Sequence, residues 1–170
     1  MANGPTQKMD PLPVENTVEG LADRLVSEGF VLLRDLCPTA FNDRIMDVAR
    51  FRIREVRKAL GGRQIGIGSA AGFEEIVQRS PGRWDLPISP RQFGIRDEEL
   101  PWWPLVVAFL GDGAEHSFSG IVYSEPGSPA QCWHIDSPHE AADHRPAHAL
   151  NVLVALQDIP LDMGPTEMAF

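Results

Sequence analysis

Two residues in this chain have the type and spacing to share a metal ion: His134 and Asp136, in the run Gln131-Cys132-Trp133-His134-Ile135-Asp136. The run reads as β-strand, where residues i and i+2 point to the same face. On that reading His134 and Asp136 aim an imidazole nitrogen and a carboxylate oxygen at one point, and Trp133 and Ile135 pack on the other side. The pairing is two-thirds of a 2-His-1-carboxylate triad, which holds Fe(II) by one face and leaves the other open for substrate and oxygen. A His-x-Asp also occurs as a buried hydrogen-bonded pair without metal. The surrounding elements must decide between the two.

Composition narrows the classes. The chain has 170 residues, 43% hydrophobic and 23% charged, which suits one globular domain with a sizeable core. We expect a flexible polar lead over residues 1–15 and a single domain over 16–170. A formal charge of -9 argues against a nucleic-acid partner. The cations Arg50, Arg52, Arg54, Arg57 and Lys58 read as the solvated face of a helix. Cys37 and Cys132 are the only cysteines, too few for a disulfide framework or a thiolate zinc site. No apolar run approaches the length of a membrane span, and the N-terminus lacks the apolar core of a signal peptide. A reducing, cytoplasmic setting is the default expectation.

The elements that must position the pair follow from periodicity. Asn16 with Glu19 fits a capping box opening a short helix that Gly29 ends. Phe30 to Leu33 reads as a buried strand. A long helix is expected over 40–60, with Thr39 as its N-cap and an apolar stripe of Phe41, Ile45, Ala49, Ile53, Val56 and Leu60. Gly61-Gly62 should stop it. Residues 63–100 read as irregular. Gly66-x-Gly68 with Gly72 has the wrong spacing, and no strand before it, for a dinucleotide loop. Arg83 and Trp84, a cation and an aromatic in that stretch, are candidate substrate contacts; a packed loop with a surface salt bridge is the plainer reading. Pro104 suits the first turn of another short helix, with Leu105, Val106, Phe109 and Leu110 buried. Strands are then expected over 118–123, 131–135 and 148–156, separated by Pro- and Gly-rich turns. Helices first and strands last imply an α+β arrangement, or a β-barrel with helical supports.

From Gly120 onward the chain resembles the phytanoyl-CoA dioxygenase family of Fe(II)- and 2-oxoglutarate-dependent oxygenases. The resemblance rests on the turn Glu125-Pro126-Gly127-Ser128, the motif Trp133-His134-Ile135-Asp136, the stretch Leu150 to Leu156 and the tail Asp162-Met163-Gly164-Pro165-Thr166. Earlier, Glu28 to Leu33 is similar to the family's opening helix-to-strand element.

The resemblance implies a mainly β core folded as a double-stranded β-helix, or jelly roll, braced by N-terminal helices. It implies that His134 and Asp136 are metal ligands and catalytic centre, and that Fe(II), 2-oxoglutarate and O2 are cofactor and cosubstrates. The implied activity is hydroxylation of a small or lipid-like molecule with oxidative decarboxylation of 2-oxoglutarate to succinate and CO2.

Two features depart from the family. Ser124 stands where members often carry a lysine. The downstream histidine and the carboxylate-binding arginine are missing before Phe170, so the second half of the jelly roll is expected to be absent, as in a truncated chain. His139 is then the nearest substitute for a third ligand, and Gln131 a weaker candidate for holding cosubstrate. His116, at a strand start, reads as structural. An incomplete sheet also leaves an edge open to self-association. The alternative is a non-catalytic jelly-roll binding or interaction module; a metal-dependent hydrolase is a distant third, because only two strong ligands are in sight.

Overall fold

The longest apolar stripe in the sequence becomes the helix against which the sheet is built. The computed structural model describes residues 17–61, 76–136 and 146–168. Helix α2 runs Thr39–Leu60, and none of its six stripe residues is exposed. Pro38 rather than Thr39 is its N-cap, its carbonyl accepting from the amides of Phe41 and Asn42 at 2.9 and 3.1 Å. Gly61 ends the helix in the left-handed region (φ 61°), as expected of a residue without Cβ.

Helix α1 spans Val18–Glu28, and its N-cap is Thr17, whose hydroxyl accepts from the Gly20 amide at 3.1 Å. The expected cap was Asn16, which lies outside the described residues. Helix α3 spans Trp103–Leu110 with Pro104 in its first turn; Leu105 and Val106 are buried, while Phe109 and Leu110 are half-buried.

The sheet has three antiparallel strands, β1 (Val77–Ser80), β2 (Arg83–Ile88) and β3 (Ser119–Ser124), in spatial order β1-β2-β3. Strands β1 and β2 form a hairpin inside the stretch expected to be irregular. Pro81 and Gly82 (φ 76°) make its two-residue turn. Arg83 and Trp84 are therefore on a strand and not in a loop. Pro87 is tolerated in the middle strand because the described part of β1 reaches only as far as Asp85, and no described residue seeks its missing N–H on that side.

Three strands expected from the sequence do not form. Over 30–33, Val31 and Leu33 pack on α1 and α3 while Leu32 is left exposed, and among the described residues no neighbouring backbone completes a ladder. Over 131–135 and 148–156 the chain is irregular. Alternation says which side chains would share a face; it carries no information on whether a pairing strand is present. The described fold is α+β, three helices and one small sheet.

Among the described residues the core has three parts. Leu86, 1% exposed, and its ladder partner Ile121 pack against Ala49 and Val56 of α2. Burying such a leucine stabilises the fold by about 1.5–3 kcal/mol. Ala22 and Leu25 of α1 meet Leu105 of α3. Ile95 and Leu100 join Ile88 to Phe41 and Trp102, whose rings meet edge to face at 5.8 Å. No helix among the described residues is long and apolar enough to cross a membrane. The residue 1–15 lead, the glycines at 66, 68 and 72, and His139 lie outside the described residues.

Candidate metal centre

His134 and Asp136 come together without the strand that was expected to align them. His134 Nε2 stands 3.5 Å from Asp136 Oδ1, in a segment that turns at Asp136. Each side chain is held from behind. His134 Nδ1 donates to the carbonyl of Cys132 at 2.8 Å. Asn151 Nδ2, arriving from the segment 146–156, donates to Asp136 Oδ2 at 2.7 Å. Trp133 and Ile135, expected to pack on the opposite face, are 68% and 61% exposed, because no layer of the described chain covers them.

The hydrogen bonds dictate the chemistry of the gap. A carbonyl can only accept, so Nδ1 carries a proton, and the neutral ring presents the lone pair of Nε2. Asp136 Oδ1 is also a lone-pair donor. The 3.5 Å between them exceeds a hydrogen bond. Two lone-pair donors this close repel unless they share a cation. The pair is stabilised when a cation lies there, either a second ring proton or a metal ion. Two ligand atoms about 2.1 Å from one ion sit about 3.0–3.4 Å apart for right-angle to tetrahedral geometry, close to the separation found. The carbonyl behind the imidazole and the amide behind the carboxylate are the outer partners that metal ligands ordinarily have. The two side chains present thus fit a metal ion as two members of a donor set.

The remaining expectations divide. Among the described residues no third His, Cys, Asp or Glu joins the pair. His139 cannot be placed, since it lies outside those residues; His148 is described and exposed. Gln131 is exposed at the start of the same segment.

Arg83 and Trp84 point to opposite faces of β2, as neighbours on a strand must. Trp84 lines a cleft of about 280 Å³ between α2 and the hairpin, with Ile53, Val56, Leu60, Leu86 and Tyr123. Arg57 closes one side of it, donating to the Tyr123 hydroxyl at 2.8 Å and to the Glu125 carboxylate. Arg83 instead donates from Nε to the Ser124 hydroxyl at 3.1 Å. The surface salt bridge in this stretch is made by Arg79, not Arg83, with Asp85 at 2.6 Å. The turn after β3 forms too: the Ser128 amide and hydroxyl both donate to the Glu125 carbonyl, at 3.1 and 2.8 Å.

Asn151 is the partner of the pair that spacing does not single out. Its place within a strand-like run gave no sign that it would reach back to Asp136. No family model, curated protein or solved structure matches this chain.

Proposed function

We propose that His134 and Asp136 are two ligands of an Fe(II) centre in a 2-oxoglutarate-dependent oxygenase similar to the phytanoyl-CoA dioxygenases. The observation that carries this reading is the His134 tautomer: a proton fixed on Nδ1 leaves Nε2 facing a carboxylate oxygen at a separation that suits a shared cation. Iron held there, with 2-oxoglutarate and O2, supplies hydroxylation of a substrate C–H bond as 2-oxoglutarate leaves as succinate and CO2. The chain's own residues set the geometry. Cys132 fixes the imidazole tautomer through its carbonyl, and Asn151 holds Oδ2 so that Oδ1 is free to bind.

A cation stands beside position 124 after all. Ser124 replaces the lysine of the family, and the Arg83 guanidinium bonds its hydroxyl. Trp84, in the apolar cleft, is assigned to the body of a small or lipid-like substrate; Arg83, on the opposite face of β2, is given no part in the site. The finer fold in this proposal is the jelly roll, of which β2, β3 and the segments carrying His134 and Asn151 are parts.

One observation favours a second reading. Trp133, Ile135, Val152 and Leu153, sequence neighbours of the pair and of Asn151, are exposed apolar residues, as on a binding or self-associating module. Anaerobic titration of the full chain with Fe(II) and 2-oxoglutarate separates the two. The oxygenase reading expects the weak visible charge-transfer band of the bidentate complex, lost in His134→Ala and in Asp136→Asn. Absence of the band in the unaltered chain defeats it. Concentration-dependent sedimentation would then support the module.

A further inference from the structure

His116 belongs to a different constellation. It lies in the loop between α3 and β3, and its ring is clasped on both sides. Nδ1 is 3.2 Å from Asp97 Oδ1, and Nε2 is 2.7 Å from the Ser119 hydroxyl. The carboxylate can only accept, so the neutral ring keeps its proton on Nδ1 and Nε2 accepts the hydroxyl proton of Ser119. A base against a hydroxyl, with an acid orienting the base, is the arrangement that activates a serine, and it is recognised by geometry whatever the chain order.

Three separate elements build it. Asp97 opens the short 3-10 turn Asp97–Glu99, which buried Ile95 and Leu100 pin against Ile88. Ile88 is the ladder partner of Ser119, so the register brings that hydroxyl to the end of the sheet where Asp97 is held. Glu99 steadies the turn by accepting from the Arg96 amide at 3.0 Å. Arg91 stands 3.9 Å from the second oxygen of Asp97. The His116 and Asp97 side chains are 22% and 20% exposed, sheltered but open to a small molecule. Ser119 is half-buried between two exposed neighbours: Phe118, which offers apolar surface, and Gly120, which has no side chain to block approach.

We propose that Ser119 is a nucleophile activated by His116 and oriented through Asp97, and that it takes acyl groups from small uncharged activated esters. The substrate class follows from the apolar surroundings and from a chain charge of -9, which disfavours anions. In the step, Ser119 Oγ bonds to the carbonyl carbon and its proton passes to His116 Nε2. The bond to the leaving alcohol breaks, and the alkoxide takes the proton from Nε2. Water then adds to the acyl carbon by the same route, releasing the carboxylic acid and restoring the serine. No metal takes part, so the site is independent of His134 and Asp136.

The test treats the full chain with 4-nitrophenyl acetate in the presence of EDTA, following nitrophenolate release and mapping the acetyl group by peptide mass spectrometry. The expected result is a burst approaching one equivalent, with acetyl on Ser119. His116→Gln should slow Ser119 acetylation by about 100-fold or more, the usual worth of a positioned general base. Asp97→Asn should slow it as well, and Asp97→Glu should restore part of the rate. Acetylation confined to lysines or the N-terminus of the unaltered chain, with Ser119 unmodified, overturns the proposal whether or not the variants fold. So does a Ser119 acetylation rate unchanged by His116→Gln in a variant whose circular dichroism matches the parent.

Discussion

Replacing Asn151 with alanine isolates the outer support of the proposed metal pair. The substitution removes the only donor that the described residues direct at Asp136 Oδ2, 2.7 Å away, and touches neither ligand. Both side chains are exposed, so folding stability should change by less than about 0.5 kcal/mol. Metal affinity should change more. With Oδ2 released, the carboxylate turns about its χ2, and Oδ1 spends less time at the point it shares with Nε2. Loss of an outer partner typically costs about 10–100-fold in metal affinity. Water can replace an exposed donor, so the low end applies: about 10-fold, or about 1.4 kcal/mol. Calorimetric titration with Zn(II) reads this directly, with thermal melts run alongside. Asp136→Asn should weaken binding well beyond Asn151→Ala, since it removes the ligand charge itself. Equal Zn(II) affinity in the parent and in Asn151→Ala, with Asp136→Asn still impaired, would refute the argument that Asn151 sets the carboxylate.

Other perturbations have equally definite outcomes. Leu86→Ala opens a hole between α2 and the sheet and should cost about 3 kcal/mol, lowering the urea midpoint by about 2 M; Val122→Ala, on the open face of β3, should leave it nearly unchanged. Glu99 is held below the usual carboxylate range, first by the Arg96 amide and then by the Arg96 side chain. Its folded pKa is depressed, so its contribution is present above the unfolded value and is lost as pH falls through the folded one. Urea midpoints should therefore drop less steeply in Glu99→Gln than in the parent between about pH 5 and about pH 3. Burial pushes the Cys37 thiol up, whereas Cys132 is exposed. Iodoacetamide should label Cys132 first, and mass mapping of partial labelling checks the order.

The parts of the fold written in local chemistry were legible. The stripe from Phe41 to Leu60 specified α2, Gly61 its end and Pro104 the start of α3, because each depends on neighbours within a few residues. The hairpin of β1 and β2 was hidden. Gln78, Arg79 and Ser80 break any apolar alternation, and Pro87 argues against a middle strand until the short reach of β1 is known. The converse error occurred over 131–135 and 148–156, where alternation was present and no pairing forms among the described residues. At the proposed metal pair, His-x-Asp announced itself, while its carbonyl and amide supports depended on turns that spacing does not encode. The Asp97, His116 and Ser119 contacts were invisible for the same reason: burial of Ile95 and Leu100 and the register of β3 create them.

The most direct test of the metal assignment is the state of the His134 ring nitrogens. In a two-bond proton–nitrogen correlation spectrum of histidine-labelled protein, the neutral ring is expected to carry its proton on Nδ1 and not on Nε2. Added Zn(II), a diamagnetic stand-in for Fe(II), should shift the Nε2 resonance, and Asp136→Asn should weaken that response. A His134 ring protonated on Nε2 instead of Nδ1, or an Nε2 resonance indifferent to saturating Zn(II), would contradict the claim that this nitrogen and Asp136 share a metal ion.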